Sequence, residues 1–212
     1  MPRKCLIRTS NAPYHITARS NNKEFFYVDM EMLWTIFVEV MAQAQTLYRC
    51  EFHAFILMSN HYHLLVSTPG QNIDKVMEHI QRDVAKKANR ESIRINHFFG
   101  GPYKWSLIYE ESYYWNVIKY IFRNPIRAGI CKTVTDYRFS SLNLHHKEFR
   151  WRMVDFFNDK TKSIVLDNDW LNEPFLNEAE GSIRLALRRK EFKIPRRKNG
   201  HRLNIDSSLS KK

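Results

Sequence analysis

Phe52-His53-Ala54-Phe55-Ile56-Leu57-Met58-Ser59-Asn60-His61-Tyr62-His63-Leu64-Leu65-Val66-Ser67-Thr68 reads as two apolar strands joined by a tight polar turn at Ser59-Asn60. Side chains alternate across a strand, so His61 and His63 project to the same side from the start of the second strand. Two convergent neutral imidazoles can hold a divalent metal. They can equally be two polar residues on the exposed face of a half-buried strand. With nine His in 212 residues, a His-x-His triplet decides nothing by itself. Its surroundings must do so.

Ahead of the hairpin, residues 1 to 12 form a basic arm with Arg3, Lys4 and Arg8. Tyr14-His15-Ile16-Thr17-Ala18-Arg19 alternates as a strand, and Ser20-Asn21-Asn22-Lys23 is a turn. A helix starts at Asp29 as N-cap, with Leu33, Phe37, Val40, Met41, Ala44, Leu47 and Tyr48 as one buried stripe. Behind the hairpin, Pro69-Gly70 breaks the chain. A second helix follows over about 72 to 90, with Ile73, Val76, Met77, Ile80, Val84 and Ala88 as its core face. Lys75, His79, Arg82, Lys86 and Arg90 run down another face, as a solvated surface or as a DNA contact.

Residues 96 to 102 are turn-rich, and Tyr103 to Tyr109 alternates as a strand. A third helix runs from Ser112 to Asn124, ended by Pro125. The order strand, helix, strand, strand, helix, strand, helix predicts an α+β, ferredoxin-like fold. It implies an antiparallel sheet with two helices on one face and the other face free for a ligand.

At about 100° per residue, Tyr113, Asn116, Tyr120 and Asn124 share one narrow sector of the third helix, while Tyr114, Ile118, Ile121 and Phe122 lie elsewhere. Such a stripe is either a polar surface or a functional face. Composition narrows the partners. With 34 basic and 22 acidic residues the formal charge is +12, which favours a polyanion, most simply nucleic acid. Apolar residues at 43% and aromatics at 14% suffice for a real core. Cys5, Cys50 and Cys131 form no CxxC, so neither a disulfide framework nor a Cys-rich zinc site is expected. No signal core or run of about 18 apolar residues is seen, so the expectation is a cytoplasmic protein without a membrane partner.

Taken together, Tyr14 to Arg19, Phe55 to Leu65 and Tyr120-Ile121-Phe122-Arg123-Asn124-Pro125-Ile126-Arg127-Ala128-Gly129 resemble the single-tyrosine HUH transposases, in particular those associated with repetitive extragenic palindromes (REP). Asp136-Tyr137-Arg138-Phe139-Ser140-Ser141 adds a fourth, weaker element. The resemblance covers residues 1 to 142 and implies an HUH domain there, followed by a basic, partly helical extension over 143 to 212. It implies that His61 and His63 are metal ligands, Asn124 a third ligand and Tyr120 the nucleophile, with Mg²⁺ or Mn²⁺ as cofactor. It implies nicking and rejoining of single-stranded or hairpin DNA through a 5′-phosphotyrosine, by a monomer or homodimer. Arg19, Arg82, Lys86, Arg123 and Arg127 are the basic candidates for DNA contact, and Tyr103, Trp105 and Tyr109 for base stacking.

Two departures stand out. The family often carries Gly-Arg-Tyr-Lys-Ser before its last strand, where this chain has Gly101-Pro102-Tyr103-Lys104-Trp105, so one basic contact is missing. Tyr113 and Tyr114 are rival nucleophiles, although Tyr113 lies two turns, about 10 Å, from Tyr120 along the axis. Beyond residue 142, Phe149, Trp151, Phe156, Phe157, Trp170, Phe175 and Leu176 could pack on the main domain. A helix is expected over 178 to 191, then a basic, poorly ordered tail. His145-His146 has nothing near it in sequence to complete a metal site. The competing functions are a non-catalytic nucleic-acid-binding module on the same sheet, a replication or conjugation nickase, and a domesticated relative acting on genomic repeats.

Overall fold

The computed structural model describes residues 5–93, 97–144, 156–158, 165–176 and 179–194. The expectations for the extreme N-terminus, for Phe149, Trp151 and His145-His146, and for the tail beyond 194 lie outside the described residues. Four strands, β1 (Tyr14–Arg19), β2 (Glu51–Leu57), β3 (His61–Ser67) and β4 (Lys104–Leu107), form one antiparallel sheet in the order β2-β3-β1-β4. That is the ferredoxin-like order, and the α+β expectation holds. The last strand is shorter than the expected 103–109.

Helix α1 (Met30–Tyr48) begins where Asp29 accepts hydrogen bonds from the amides of Glu31 and Met32. It ends at Arg49, which turns left-handed at φ 51°. Helix α2 (Ile73–Ser92) buries its whole expected core face. Both pack on the sheet face made by Tyr14, Ile16, Phe55, Tyr62, Leu64 and Val66. Two stripe assignments change. Leu47 is largely exposed in the last turn of α1, and His79 is buried against the Tyr48 ring instead of joining the basic face of α2.

The opposite sheet face is not free. Helix α3 (Glu111–Phe122) lies across it on Ala54, Ile56 and Leu65. A short helix α4 (Asn124–Arg127) follows, and α5 (Asn168–Asn172) and α6 (Ala179–Ala186) cover α3 from outside. The trailing helix of the expected pattern is what covers this face, and the two helices of the extension then bury its outer side. Every residue of α3 from Tyr113 to Phe122 is buried, so its polar stripe is internal. A helix apolar on one side and polar on the other is usually half-solvated; here the polar side has protein partners.

Pro125 does not stop the chain from turning helically. It sits in the first turn of α4, where its missing amide costs nothing. It does leave the Ile121 carbonyl without its i+4 donor. The Asn124 side-chain amide donates to that carbonyl at 3.3 Å and to Tyr120 O at 2.8 Å. Both edges of the sheet are met by later chain. Leu57 N donates to Phe139 O beside β2, and residue Glu191 bridges Leu107 of β4 in parallel.

Candidate active site

The register of β3 on β1 pairs His61 with Arg19 and His63 with Thr17, on the face that α3 covers. The two imidazoles stand 5.1 Å apart, ring centre to ring centre, at 84°. Asn60 in the turn holds the first of them. Its side-chain amide donates to Lys23 O at 3.1 Å, which fixes which end is oxygen, and Oδ1 accepts from His61 Nδ1–H at 2.7 Å. The Nε2 atom of His61 therefore keeps its lone pair.

His63 is oriented from the other side. Its Nδ1 lies 2.9 Å from Nε2 of His15, a buried residue of β1. When His63 supplies the shared proton, its own Nε2 is free to act as a donor to a cation. Burial keeps all three rings neutral. His15 falls to about 3, and His61 to about 4 with help from the Arg127 and Arg19 charges. His63 drops well below its ordinary value, through burial first and then its neighbours His15, His61 and Arg127.

From α3, the Tyr120 ring meets His63 edge-on, with 5.8 Å between ring centres and 86° between planes. The Arg127 guanidinium lies 5.4 Å over the same ring. Burial pushes the phenol above its ordinary range, and the charges of Arg127 and Arg184 oppose that shift. One turn on, Asn124 has its amide committed to helix carbonyls, which aims Oδ1 outward, where Arg127 donates to it at 2.7 Å. His61, His63 and Tyr120 thus meet within a single chain, and Arg127 links Asn124 to the Tyr120 ring. Tyr113 packs on Phe192 and Tyr114 on Trp115, so both rivals serve the core.

A family profile described as "Transposase IS200 like" matches residues 8–124, more than half of the sequence. The chain belongs to the IS200-like transposase family.

Among solved structures, this transposase is similar to a REP-associated tyrosine transposase bound to a REP hairpin, with a TM-score of 0.57 at 15% identity. The likeness covers 66% of this chain and 82% of that one, and it establishes the fold. A putative transposase from Deinococcus radiodurans R1 shows a TM-score of 0.39 at 17% identity, over 57% of this chain and 94% of that one. Among curated proteins, none matches the sequence.

A metal at this place would find two neutral imidazoles, while the Asn124 amide oxygen is taken up by Arg127 and would have to exchange that bond for the cation. Among the described residues no group of three or more His, Cys, Asp or Glu competes with this site. Nitrogen and neutral oxygen donors of this kind suit a divalent cation that also keeps water and phosphate oxygens. The basic candidates separate. Arg19 is exposed beside His61, and Arg82 and Lys86 are exposed on α2, where Arg82 pairs with Asp83 at 2.7 Å. Arg123 turns the other way, donating to the carbonyls of Leu171 (3.1 Å) and Asn172. Of the stacking candidates, Trp105 is in the core and Tyr109 is exposed.

Two features escaped the sequence reading. His15 was visible as a strand residue, but only the β1–β3 register shows that it meets His63. Glu180 and Arg184 of α6 act electrostatically on Tyr120 across more than fifty residues of sequence, and no local pattern carries that.

Proposed function

We propose that this transposase cuts and rejoins single-stranded DNA, at a hairpin, through Tyr120. The observation that carries the reading is the edge-on meeting of Tyr120 with His63, beside His61, in one chain. His61, His63 and Asn124 would hold Mg²⁺ or Mn²⁺, which when bound polarises the scissile phosphate. The residues do the rest. The Tyr120 oxygen forms a bond to phosphorus, the bond from phosphorus to the 3′-oxygen breaks, and the phenol proton passes to solvent while the 3′-oxygen takes one up. The strand is left as a 5′-phosphotyrosine and a 3′-OH.

Because a phenolate leaves readily, a 3′-OH can reverse the step without an external energy source. Arg127 supplies positive charge where the phosphoryl oxygens gain negative charge. Arg19, Arg82 and Lys86 would carry the flanking phosphates. A hairpin ligand in the REP-associated relative and the charge of +12 support a DNA partner over a small molecule.

The test is incubation of the full chain with end-labelled hairpin oligonucleotides and Mg²⁺ or Mn²⁺, followed by denaturing electrophoresis. A covalent adduct that disappears in Tyr120→Phe is expected. An adduct undiminished by Tyr120→Phe removes the assignment.

A further inference from the structure

We propose that the C-terminal segment is a brace that aims the nucleophile, with Lys119 and Arg123 as positioning residues on either side of Tyr120. The inference rests on the reading of Tyr120 given above. The segment lies wholly beyond the 8–124 stretch that the family profile matches.

Lys119 and Arg123 are four residues apart, so they share one face of the helical turn, offset from Tyr120 by about 100° and about 60°. Both reach α5. The Lys119 ammonium lies 5.0 Å over the Trp170 ring and 5.4 Å over that of Phe175, with the Glu173 carboxylate at 4.0 Å. Its side chain is fully buried. Removing an ammonium from water is costly unless ring faces and an opposite charge replace the hydration. The Arg123 guanidinium donates to the last carbonyls of α5, Leu171 O and Asn172 O, which have no partner within that helix. Asn172 also accepts from the amide of Val134 at 2.8 Å.

The brace is anchored to the sheet. Past α6, Leu107 N donates to Lys190 O and Phe192 N to Leu107 O, each at 2.8 Å, and the Phe192 ring packs on Tyr113 at 4.9 Å. Sheet, segment and α3 therefore form a closed mechanical loop, with the tyrosine helix clamped between the sheet face and a strap fixed to the sheet edge.

Geometry explains why a clamp matters. A hydroxyl carried about 8 Å from a helix axis moves about 1.4 Å when the helix rolls by about 10°. In-line attack loses rate steeply at displacements of about 1 Å. The sheet supports α3 on one side only, and the cation–carbonyl and cation–ring contacts at 119 and 123 resist the roll from the other.

The test uses the full chain carrying Arg123→Ala, Arg123→Lys or Trp170→Ala. Amide hydrogen exchange of the peptide over 111–122, measured without DNA or metal, is expected to quicken at least tenfold in the two alanine variants and to recover in Arg123→Lys. Single-turnover adduct formation with a labelled hairpin oligonucleotide and Mg²⁺ is expected to slow at least tenfold in the same two, with DNA affinity within twofold of the parent. Unchanged exchange overturns the brace. So does quickened exchange with a parental rate, or a rate loss that vanishes at saturating DNA. If the parent forms no adduct, the nucleophile reading fails separately, and exchange alone judges whether the segment holds the helix. Should an alanine variant not fold, Lys119→Met, which keeps the stem between the rings and removes the charge, takes its place in both measurements.

Discussion

His15 Nε2 and His63 Nδ1 share one hydrogen bond of 2.9 Å across neighbouring strands, with both rings buried. The inner ring fixes the direction of the outer one, and where it accepts the shared proton it leaves His63 Nε2 with a free lone pair, as partners behind metal-binding imidazoles do. His15→Phe is expected to weaken Mn²⁺ binding about tenfold to a hundredfold. Titration calorimetry or the Mn²⁺ electron paramagnetic resonance signal checks this without DNA. Affinity equal to the parent would show that His63 needs no such support.

The same burial makes stability depend on pH. His15 and His61 titrate at about 3 and about 4 in the folded chain, below the ordinary 6.5 of the unfolded one. Between those values the unfolded chain binds more protons, so folding stability is complete above about pH 6.5 and falls as pH drops through the window. Urea unfolding at pH 7, 6, 5 and 4 should show a steady decline. The decline should be shallower in His15→Gln, which has no proton to take up at that position. A parental slope in that variant would exclude His15 as a source.

Arg127 bonds Asn124 Oδ1 and lies over the Tyr120 ring. Arg127→Ala is expected to lower the single-turnover adduct rate by about a hundredfold, the loss typical of one preorganised donor at a developing negative charge. Arg127→Lys should recover only part, because an ammonium lacks the planar fork. Quench-flow sampling at saturating oligonucleotide gives the rate, and a loss confined to affinity would reassign Arg127 to binding.

Gly100 N donates to Arg19 O at 2.9 Å, and a Cβ built at Gly100 would lie 2.7 Å from Ser20 O. The obstacle is backbone, so it cannot swing aside. Gly100→Ala is expected to cost about 1–3 kcal/mol, as overpacking does, read as a lower urea midpoint. Because Ser20 N bonds Asn60 O at 2.9 Å, the strain would reach the turn that holds His61.

Much of this was legible in one dimension. The hairpin at Ser59-Asn60, the Asp29 cap and the core faces of α1 and α2 follow from alternation, capping and helical period, which are local. The family resemblance pointed to His61, His63, Tyr120 and Asn124; the structure sets the Tyr120 ring against His63 beside His61, and ties Asn124 to that ring through Arg127. What stayed hidden is non-local. The burial of α3 depends on Trp170 and Phe175 arriving from another region, and the His15–His63 bond depends on strand register. Leu47 shows the converse: it fits the helical stripe, yet in the last turn of α1 it is exposed.

The strap that reaches Leu107 has a consequence for solubility. Residues Lys190 to Phe192 occupy the outer hydrogen-bonding positions of Leu107, and Phe139 with Ser141 does the same for Leu57 and Phe55 on the far side. A chain cut ahead of residue 190 would offer a bare strand margin to any other extended polypeptide. Such margins template intermolecular pairing, so truncation there should produce sticky, self-associating protein before it produces an unfolded one.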